Sequence, residues 1–247
     1  MKGVILAGGK GTRLRPFTHV MNKHLLPVGS FPMIHWPIMK LKACGIHEIL
    51  IITGKEQLPD FIKILGYGEA WGVRIIYRAQ EAAVGISDGL SYARSFINRE
   101  KFICLLGDNL FEDDLFQAWQ DFLQQGKGAK IFLKKVPDPE RFGIAVLDAS
   151  EQKILSITEK PAHPVSNYCV TGIYMYDEQI FDFINQLSPS GRQELEITDV
   201  NKIYLQRNEL SFHLLPGWWI DAGTHESLHL ADQQIFQDLK EGKLKND

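Results

Sequence analysis

The stretch Ile5–Pro16, ILAGGKGTRLRP, joins the end of an apolar run to three glycines and three cations. An apolar run that leads straight into glycines is typical of a buried strand followed by a tight turn. Glycines let backbone N–H groups approach an anion, and an arginine can bind phosphate oxygens through two hydrogen bonds. The stretch therefore predicts a phosphate-binding loop after the first strand, with a plain glycine turn carrying solvated cations as the alternative.

Two familiar phosphate loops do not match this stretch. A Walker loop needs Ser or Thr after its Gly-Lys pair, and here Lys10 is followed by Gly11. A dinucleotide-binding fingerprint needs a third glycine where this chain has Leu14. The loop therefore belongs to neither of these classes.

Composition indicates an ordinary globular chain. With 247 residues, 45% of them hydrophobic, it can bury a sizeable core in one or two domains. A net charge of -3 does not favour binding to nucleic acid or to an anionic membrane. No apolar run has the length of a signal peptide or a membrane span, and the three scattered cysteines predict buried thiols in a reducing cytoplasm. We therefore expect a cytoplasmic, enzyme-sized protein.

The first half of the chain alternates strand-like with helix-like runs. The predicted strands cover 2–7, 47–54, 73–80 and 101–109, and the predicted helices cover 32–45, 56–66 and 86–98. This alternation is typical of a parallel sheet with crossover helices. Ligands are expected where such strands end in loops.

The second half is more mixed. Strands are predicted over 129–136, 142–148, 153–160, 167–177 and 209–215, and helices over 177–185, 196–206 and 225–241. We predict an α/β fold with a Rossmann-like mixed, mainly parallel sheet flanked by helices. It forms one domain over 1–247, made of a nucleotide-binding half over about 1–125 and a second half over 126–247.

Asp108 is a candidate metal ligand. It follows the buried run Phe102–Gly107, so its carboxylate is expected at the carboxyl end of a central strand. The alternative is a helix cap or a turn former, because a helix is predicted to begin near Glu112.

Eight motifs follow one another along the chain: LAGGKGTRLRP, KHLLP, LGDN, DPERFGIAV, ITEKP, NYCVTGIYMYD, ELEITDVN and WIDAGTH. Together they resemble the signature of the sugar-1-phosphate nucleotidyltransferases, in particular the short form of the glucose-1-phosphate thymidylyltransferases. The resemblance covers almost the whole chain and implies a nucleotide-diphospho-sugar transferase-like fold. It also implies that the second half binds sugar and supplies a second metal ligand.

The reaction implied by the resemblance joins dTTP to glucose 1-phosphate and gives dTDP-glucose and pyrophosphate. The sugar phosphate attacks the α-phosphate in line, so cations and Mg²⁺ must neutralise two approaching anions. The open alternatives are UTP, CTP or another sugar 1-phosphate, or a non-catalytic module that senses nucleotide sugars. The chain carries together all five charged residues that the chemistry needs, which favours an enzyme: Arg13, Lys23, Asp108, Lys160 and Asp221.

The resemblance assigns further roles to individual residues. Arg13, Lys23 and Lys160 are the catalytic cations, and Asp108 and Asp221 hold Mg²⁺. The implied nucleotide-binding residues are Leu6, Gly8, Gly9, Gly11, Thr12, Arg13, Gln80, Gly85 and Asp108. The implied sugar-binding residues are Asn109, Gly143, Glu159, Lys160, Val170, Tyr174 and Trp219.

Some of these roles have plain alternatives. Without the resemblance, Lys160 would be interpreted as a surface charge and Trp219 as a core aromatic. Gln80 is expected at the base edge, where its amide suits thymine and uracil equally well. The resemblance also implies dTDP-sugar and polysaccharide biosynthesis and permits a homo-oligomer, with no nucleic acid or membrane partner. The short form predicts that a second, regulatory nucleotide site is missing.

Two positions depart from the family pattern. Asp88 stands where glutamine is common, and a carboxylate there would repel a nucleotide unless it points away or is paired. Gln193 replaces the commoner glycine before Glu194. These departures leave the base and sugar preference open.

One motif points to a different enzyme class. His225–His229 spells HExxH, the zinc-peptidase motif, but no histidine follows to act as a third ligand. Thr224 is a good helix N-cap and Glu226 an acid in the first turn. We therefore predict a capped helix here rather than a zinc site.

Overall fold

The computed structural model describes residues 1–82 and 84–244, and its strands and helices account for both halves of the chain. The strands are β1 Lys2–Ala7, β2 Pro27–Val28, β3 Phe31–Pro32, β4 Glu48–Gly54, β5 Arg74–Gln80, β6 Phe102–Leu106, β7 Asn109–Phe111, β8 Ala129–Lys135, β9 Gly143–Leu147, β10 Ile154–Glu159, β11 Tyr168–Tyr176, β12 Leu210–Leu214 and β13 Trp219–Asp221. The helices are α1 His35–Ala43, α2 Leu58–Leu65, α3 Ile86–Ser91, α4 Arg94–Ile97, α5 Phe116–Gln124, α6 Ile180–Ile184, α7 Ile197–Gln206 and α8 His225–Lys240. Within these described ranges, no helix is long and apolar enough to cross a membrane.

A nine-stranded sheet forms the centre of the molecule. Its main path runs β10-β9-β11-β6-β1-β4-β5, and β8 pairs with β11 and β12. Strands β6, β1, β4 and β5 are parallel, whereas β11 runs antiparallel to β6. The mixed, mainly parallel sheet is therefore confirmed. The division into two halves of one domain stays a prediction, although β6 and β11 join the two halves in one sheet.

The parallel strands place the glycine loop, Gln80 and Asp108 at one edge of the sheet. Because parallel strands end on the same side, the end of β1 enters the glycine loop, β5 ends at Gln80, and Asp108 follows β6. In the register of the sheet, Gly54 lies opposite Gln80 and Leu6 opposite Leu106. This edge is where ligands bind in open α/β sheets.

Apolar side chains cover both faces of the sheet. On β1, Val4 packs into one core and Ile5 into the other, because successive side chains of a strand point to opposite faces. Helices α3, α6 and α7 cover the Val4 face, and α1, α2 and α5 cover the Ile5 face. A smaller third cluster forms where α8 packs on β2 and β13. The continuous apolar runs of β1, β4 and β6 are therefore explained by burial on both sides.

The structure corrects three predicted boundaries. The helix over 86–98 is broken after Ser91, whose hydroxyl donates to the Asp88 carbonyl at 2.7 Å and competes with the helical hydrogen bond. The strand over 101–109 ends at Leu106, because Asn109–Phe111 leaves the main sheet and pairs with β13. The helix expected near Glu112 begins instead at Phe116.

Candidate active site

The glycine loop bends immediately after β1. Gly9 and Gly11 have φ angles of 94° and 57°, a left-handed conformation that glycine adopts without steric cost. A Cβ atom on Gly8 would lie 3.0 Å from Gln80 Oε1, so the loop and the end of β5 face each other closely. The sequence prediction of a tight turn after the first strand is confirmed.

Four charged side chains converge next to this loop. The Lys23 ammonium forms an ion pair with the Asp108 carboxylate, and both side chains are largely buried. Strand β13 brings Asp221 alongside, because the Ala222 N–H donates to the Asp108 carbonyl at 2.9 Å. A Cβ on Gly223 would lie 2.7 Å from Arg13 Nη2 and 2.8 Å from Asp221 Oδ1, so these two groups meet at Gly223.

Asp108 and Asp221 are both buried, but the pKa values of their carboxyl groups are shifted in opposite directions. Burial raises the pKa of the Asp108 carboxyl, but the Lys23 ammonium outweighs this effect and holds the pKa below its usual range. Burial, followed by the negative charge of Asp108, raises the pKa of Asp221 to about 6. Asp221 Oδ1 is buried and has no hydrogen-bond partner within residues 1–82 and 84–244. A cation near this oxygen would satisfy it and relieve the repulsion between the two carboxylates.

These donors suit Mg²⁺ in a particular way. No group of three or more His, Cys, Asp or Glu side chains in the described part of the chain could hold a metal by itself. Mg²⁺ typically needs only one or two protein carboxylates, since waters and substrate phosphates fill its other positions. Asp108 and Asp221 therefore fit a cation that is bound together with a nucleotide.

The Asn109 side chain helps to fix the orientation of the Asp108 carboxylate. Asn109 Oδ1 accepts hydrogen bonds from the Gly172 N–H at 2.7 Å and from Trp219 Nε1 at 2.8 Å. These bonds fix the amide so that Asn109 Nδ2 donates to Asp108 Oδ1 at 3.2 Å. Asn109 and Trp219 were expected only to line a sugar pocket, and the structure shows that they also help to orient the Asp108 carboxylate.

A first cavity opens above the glycine loop. It is lined by seven of the nine predicted nucleotide-binding residues: Leu6, Gly8, Gly9, Arg13, Gln80, Gly85 and Asp108. Lys23 and His24 also line it. The other two predicted residues, Gly11 and Thr12, belong to the turn that follows and are not among the lining residues.

A second cavity adjoins the first and shares Ile86, Leu106 and Glu194 with it. All seven residues that were predicted to bind sugar line this cavity: Asn109, Gly143, Glu159, Lys160, Val170, Tyr174 and Trp219. Asp221 lines it as well. The four converging charges therefore lie at the border between the two cavities.

The sequence analysis missed a cation in the second cavity. Arg192 Nη2 lies 3.1 Å from Glu159 Oε1 and 2.8 Å from Glu196 Oε2. Thr198 Oγ1 donates to the other oxygen of Glu159 at 2.5 Å. The segment GRQELEITD contains Arg192, Glu196 and Thr198, and an arginine followed by two glutamates was the available signal. Arg141 also lines this cavity and was missed.

The two departures from the family pattern have structural explanations. Gln193 has a φ of 61°, in the left-handed region, which explains why glycine is common there. Asp88 is paired, because Gln80 Nε2 donates to Asp88 Oδ2 at 2.6 Å. The extra carboxylate therefore contacts an amide of the site, which resolves the expected repulsion.

The HExxH segment forms a capped helix, as predicted. The Thr224 hydroxyl accepts the Ser227 N–H at 3.2 Å, and the Thr224 N–H donates in turn to the Ser227 hydroxyl at 3.1 Å. His225 Nε2 donates to the Arg15 carbonyl at 2.7 Å, so its imidazole ties α8 to the end of the glycine loop.

Comparison with known proteins agrees with this arrangement. The family described as "Nucleotidyl transferase" matches residues 2–238. The chain belongs to the nucleotidyl transferase family. The glucose-1-phosphate thymidylyltransferase of Neisseria meningitidis serogroup A is 43% identical over 234 residues, which are 94% of this chain and 81% of the relative. The low-salt glycan biosynthesis nucleotidyltransferase of Haloferax volcanii is 36% identical and matches 100% of this chain and 70% of its own length.

Solved structures of nucleotidyl transferases share the same fold. A structure of a Bacillus anthracis protein in complex with a sucrose is 50% identical to this chain, with a TM-score of 0.90. The match covers 95% of this chain and 94% of the other. The family resemblance that the eight motifs predicted is therefore confirmed.

Proposed function

We propose that this nucleotidyl transferase is a glucose-1-phosphate thymidylyltransferase, which converts dTTP and glucose 1-phosphate into dTDP-glucose and pyrophosphate. One observation carries the proposal: two adjoining cavities meet at the cluster of Arg13, Lys23, Asp108 and Asp221. A triphosphate in the first cavity and a sugar phosphate in the second would face each other across these charges.

The cations of the site answer the main difficulty of the reaction, which is bringing two anions together. A phosphate oxygen of glucose 1-phosphate attacks the α-phosphorus of dTTP, the new P–O bond forms, and the bond to the β-phosphate breaks. Arg13 and Lys23 neutralise the triphosphate and the leaving pyrophosphate, and Lys160 binds the attacking phosphate. Mg²⁺, held by Asp108 and Asp221, would neutralise negative charge on the phosphate oxygens.

The sugar cavity offers an oriented carboxylate. Glu159 already binds Arg192 through one oxygen and Thr198 through the other. Each carboxylate oxygen has two acceptor positions, so Glu159 can accept sugar hydroxyls without leaving its partners. We therefore propose that Glu159 binds hydroxyl groups of glucose and that Arg192 holds this carboxylate in place.

The cellular role follows from the proposed product. A dTDP-sugar is an activated sugar, so we propose that the enzyme acts in dTDP-sugar and polysaccharide biosynthesis in the cytoplasm. The name of the Haloferax volcanii relative, which refers to glycan biosynthesis, supports this proposal.

Pyrophosphate release tests the proposed function. The purified protein is incubated with Mg²⁺ and one of dTTP, UTP, CTP, ATP or GTP, with and without glucose 1-phosphate. We expect release to require both dTTP, or to a lesser extent UTP, and the sugar phosphate. Pyrophosphate release only with a nucleotide other than dTTP or UTP would contradict the proposal and favour another substrate. If no nucleotide gives pyrophosphate although the protein still binds nucleotide, the proposal is also contradicted and a sensor is favoured.

A further inference from the structure

The side chain that faces the expected nucleobase position is held by a carboxylate outside the cavity. Gln80 lines the first cavity and is only 5% exposed. Its Nε2 donates to Asp88 Oδ2 at 2.6 Å. Asp88 lies in the first turn of α3 and is not among the residues that line this cavity. Asp88 therefore contacts Gln80 from outside the cavity and does not itself contact a ligand there.

A free glutamine amide does not by itself specify what it recognises. Its carbonyl and NH₂ ends have nearly the same shape, so a half-turn exchanges an acceptor for a donor. A carboxylate can only accept, so the NH₂ of Gln80 must face Asp88. The carbonyl Oε1 is then left on the other side, close to the glycine loop, where it lies 3.0 Å from the position of a Cβ on Gly8.

Among the residues that the structure describes, the Asp88 carboxylate accepts a hydrogen bond from Gln80 only. The neighbouring Ser91 hydroxyl donates to the backbone carbonyl of Asp88 and not to its carboxylate. An asparagine or glutamine at position 88 could either donate or accept, and both orientations of the Gln80 amide would then remain available. Only an acceptor-only side chain fixes the amide in one orientation.

We propose that Asp88 is a positioning residue that selects the base by locking the Gln80 amide with its carbonyl toward the nucleotide. This inference rests on the proposed function. Thymine and uracil present an N3–H donor, which the Gln80 carbonyl accepts. Cytosine presents a lone pair at N3, which faces the same carbonyl unfavourably. Asp88 therefore disfavours CTP relative to dTTP without contacting the nucleotide, and it does not separate dTTP from UTP.

The test compares kcat/KM for dTTP, UTP and CTP in the wild type and in Asp88→Asn, with glucose 1-phosphate saturating. Freeing the amide should lower the dTTP to CTP ratio about tenfold, which is the factor that one hydrogen bond of ordinary strength supplies. The dTTP to UTP ratio should not change. Ser91→Ala is the matched control, because it alters the same turn and leaves the carboxylate–amide pair intact; all its ratios should equal those of the wild type.

Two results would overturn the inference. An unchanged dTTP to CTP ratio in Asp88→Asn would show that the carboxylate does not control base choice. An equal loss of activity with all three nucleotides would show a merely structural role. If Asp88→Asn does not fold, Asp88→Gln, which also replaces the carboxylate by an amide, takes its place.

Calorimetric binding of dTTP and CTP separates this inference from the proposed function. If the wild type binds dTTP but releases no pyrophosphate, the proposed function fails while the inference is still decided by the two dissociation constants. The same shift in the dTTP to CTP ratio is expected in binding. Turnover by the wild type with no shift in Asp88→Asn would overturn the inference alone.

Discussion

At the scale of single residues, the site depends on charges that are buried together. The Lys23 and Asp108 side chains are 15% and 12% exposed, so neither charge is well solvated if the other is lost. The pair therefore stabilises the fold mainly by preventing an uncompensated buried charge, and it holds Lys23 at the wall of the first cavity.

Lys23→Gln should affect stability and activity in different ways. We expect the free energy of unfolding to fall by about 3 kcal/mol, because the buried Asp108 carboxylate loses its partner. The double variant Lys23→Gln/Asp108→Asn should recover part of this loss, since the unpaired charge is gone. The activity of Lys23→Gln should fall by about 10²–10³-fold and should not be recovered in the double variant.

Urea denaturation without Mg²⁺ and steady-state kinetics measure these two effects. Lys63→Gln, which removes an exposed lysine on α2, is the control and should change neither quantity. Equal stability of the single and double variants would contradict the buried-pair explanation.

The residue scale also shows what the sequence could not predict. Arg13, Lys23, Asp108, Lys160 and Asp221 were predicted because the motifs that contain them are distinctive. Arg192 was missed because its contact with Glu159 arises only when the end of β10 comes next to the segment that precedes α7. The pairing of Asp88 with Gln80 depends on the turn between β5 and α3, whose shape no short motif specifies.

At the scale of elements, α8 closes the third core cluster next to β13, the strand that carries Asp221. Its first turn is fixed by the Thr224 cap and by the bond from His225 to the glycine loop. The beginning of α8 therefore connects β13, the strand that carries Asp221, to the glycine loop.

Thr224→Ala should weaken this connection. We expect the free energy of unfolding to fall by about 1 kcal/mol, because the N–H of Ser227 loses its acceptor. Thr224→Ser, which keeps the capping hydroxyl, should stay within a few tenths of a kcal/mol of the wild type. Thermal or urea unfolding measures both variants, and an equal loss in both would show that the methyl group rather than the cap is responsible.

The longer elements were predictable and the short ones were not. Strands β1, β4 and β6 contain continuous apolar runs, which predict a buried parallel sheet. The two-residue strands β2 and β3 and the three-residue strand β13 have no length in which a pattern could show. They exist because distant segments pair, as Trp219–Asp221 does with Asn109–Phe111.

At the scale of the whole molecule, stability should depend on pH through buried histidines. His35 is 1% exposed and stacks on Phe31, with ring centroids 4.1 Å apart. Burial, followed by the positive charge of Lys42, lowers the pKa of His35 to about 4. Burial likewise lowers the pKa of His24 to about 3. Both imidazoles are therefore neutral in the folded protein at pH values where an unfolded chain protonates them.

The sign of the effect follows from proton uptake. Between the unfolded value of about 6.5 and the folded value, the unfolded state binds more protons, so stability falls as the pH falls. His35→Phe should reduce this loss by about 1 kcal/mol per pH unit between pH 6 and 4.5. Urea denaturation at several pH values measures the slope. His163→Phe, which replaces an exposed histidine, is the control, and an unchanged slope in His35→Phe would contradict the account.

Of the features of the whole molecule, the pair of adjoining cavities was the hardest to predict from the sequence. The motifs predicted which residues bind each substrate, but only the pairing of β7 with β13 brings Asp108 and Asp221, which are more than a hundred positions apart in the sequence, to one border. Two expectations stay predictions: the protein can form a homo-oligomer, and it lacks a regulatory nucleotide site.

Phosphorus NMR of the reaction products tests the central claim most directly. The protein is incubated with dTTP, glucose 1-phosphate and Mg²⁺, and the phosphorus signals are followed with time. We predict that a diphosphate ester of thymidine and glucose appears together with pyrophosphate in equal amounts, while both substrates disappear. Consumption of dTTP without the diphosphate ester, or formation of dTMP in its place, would show that the two cavities do not join these substrates.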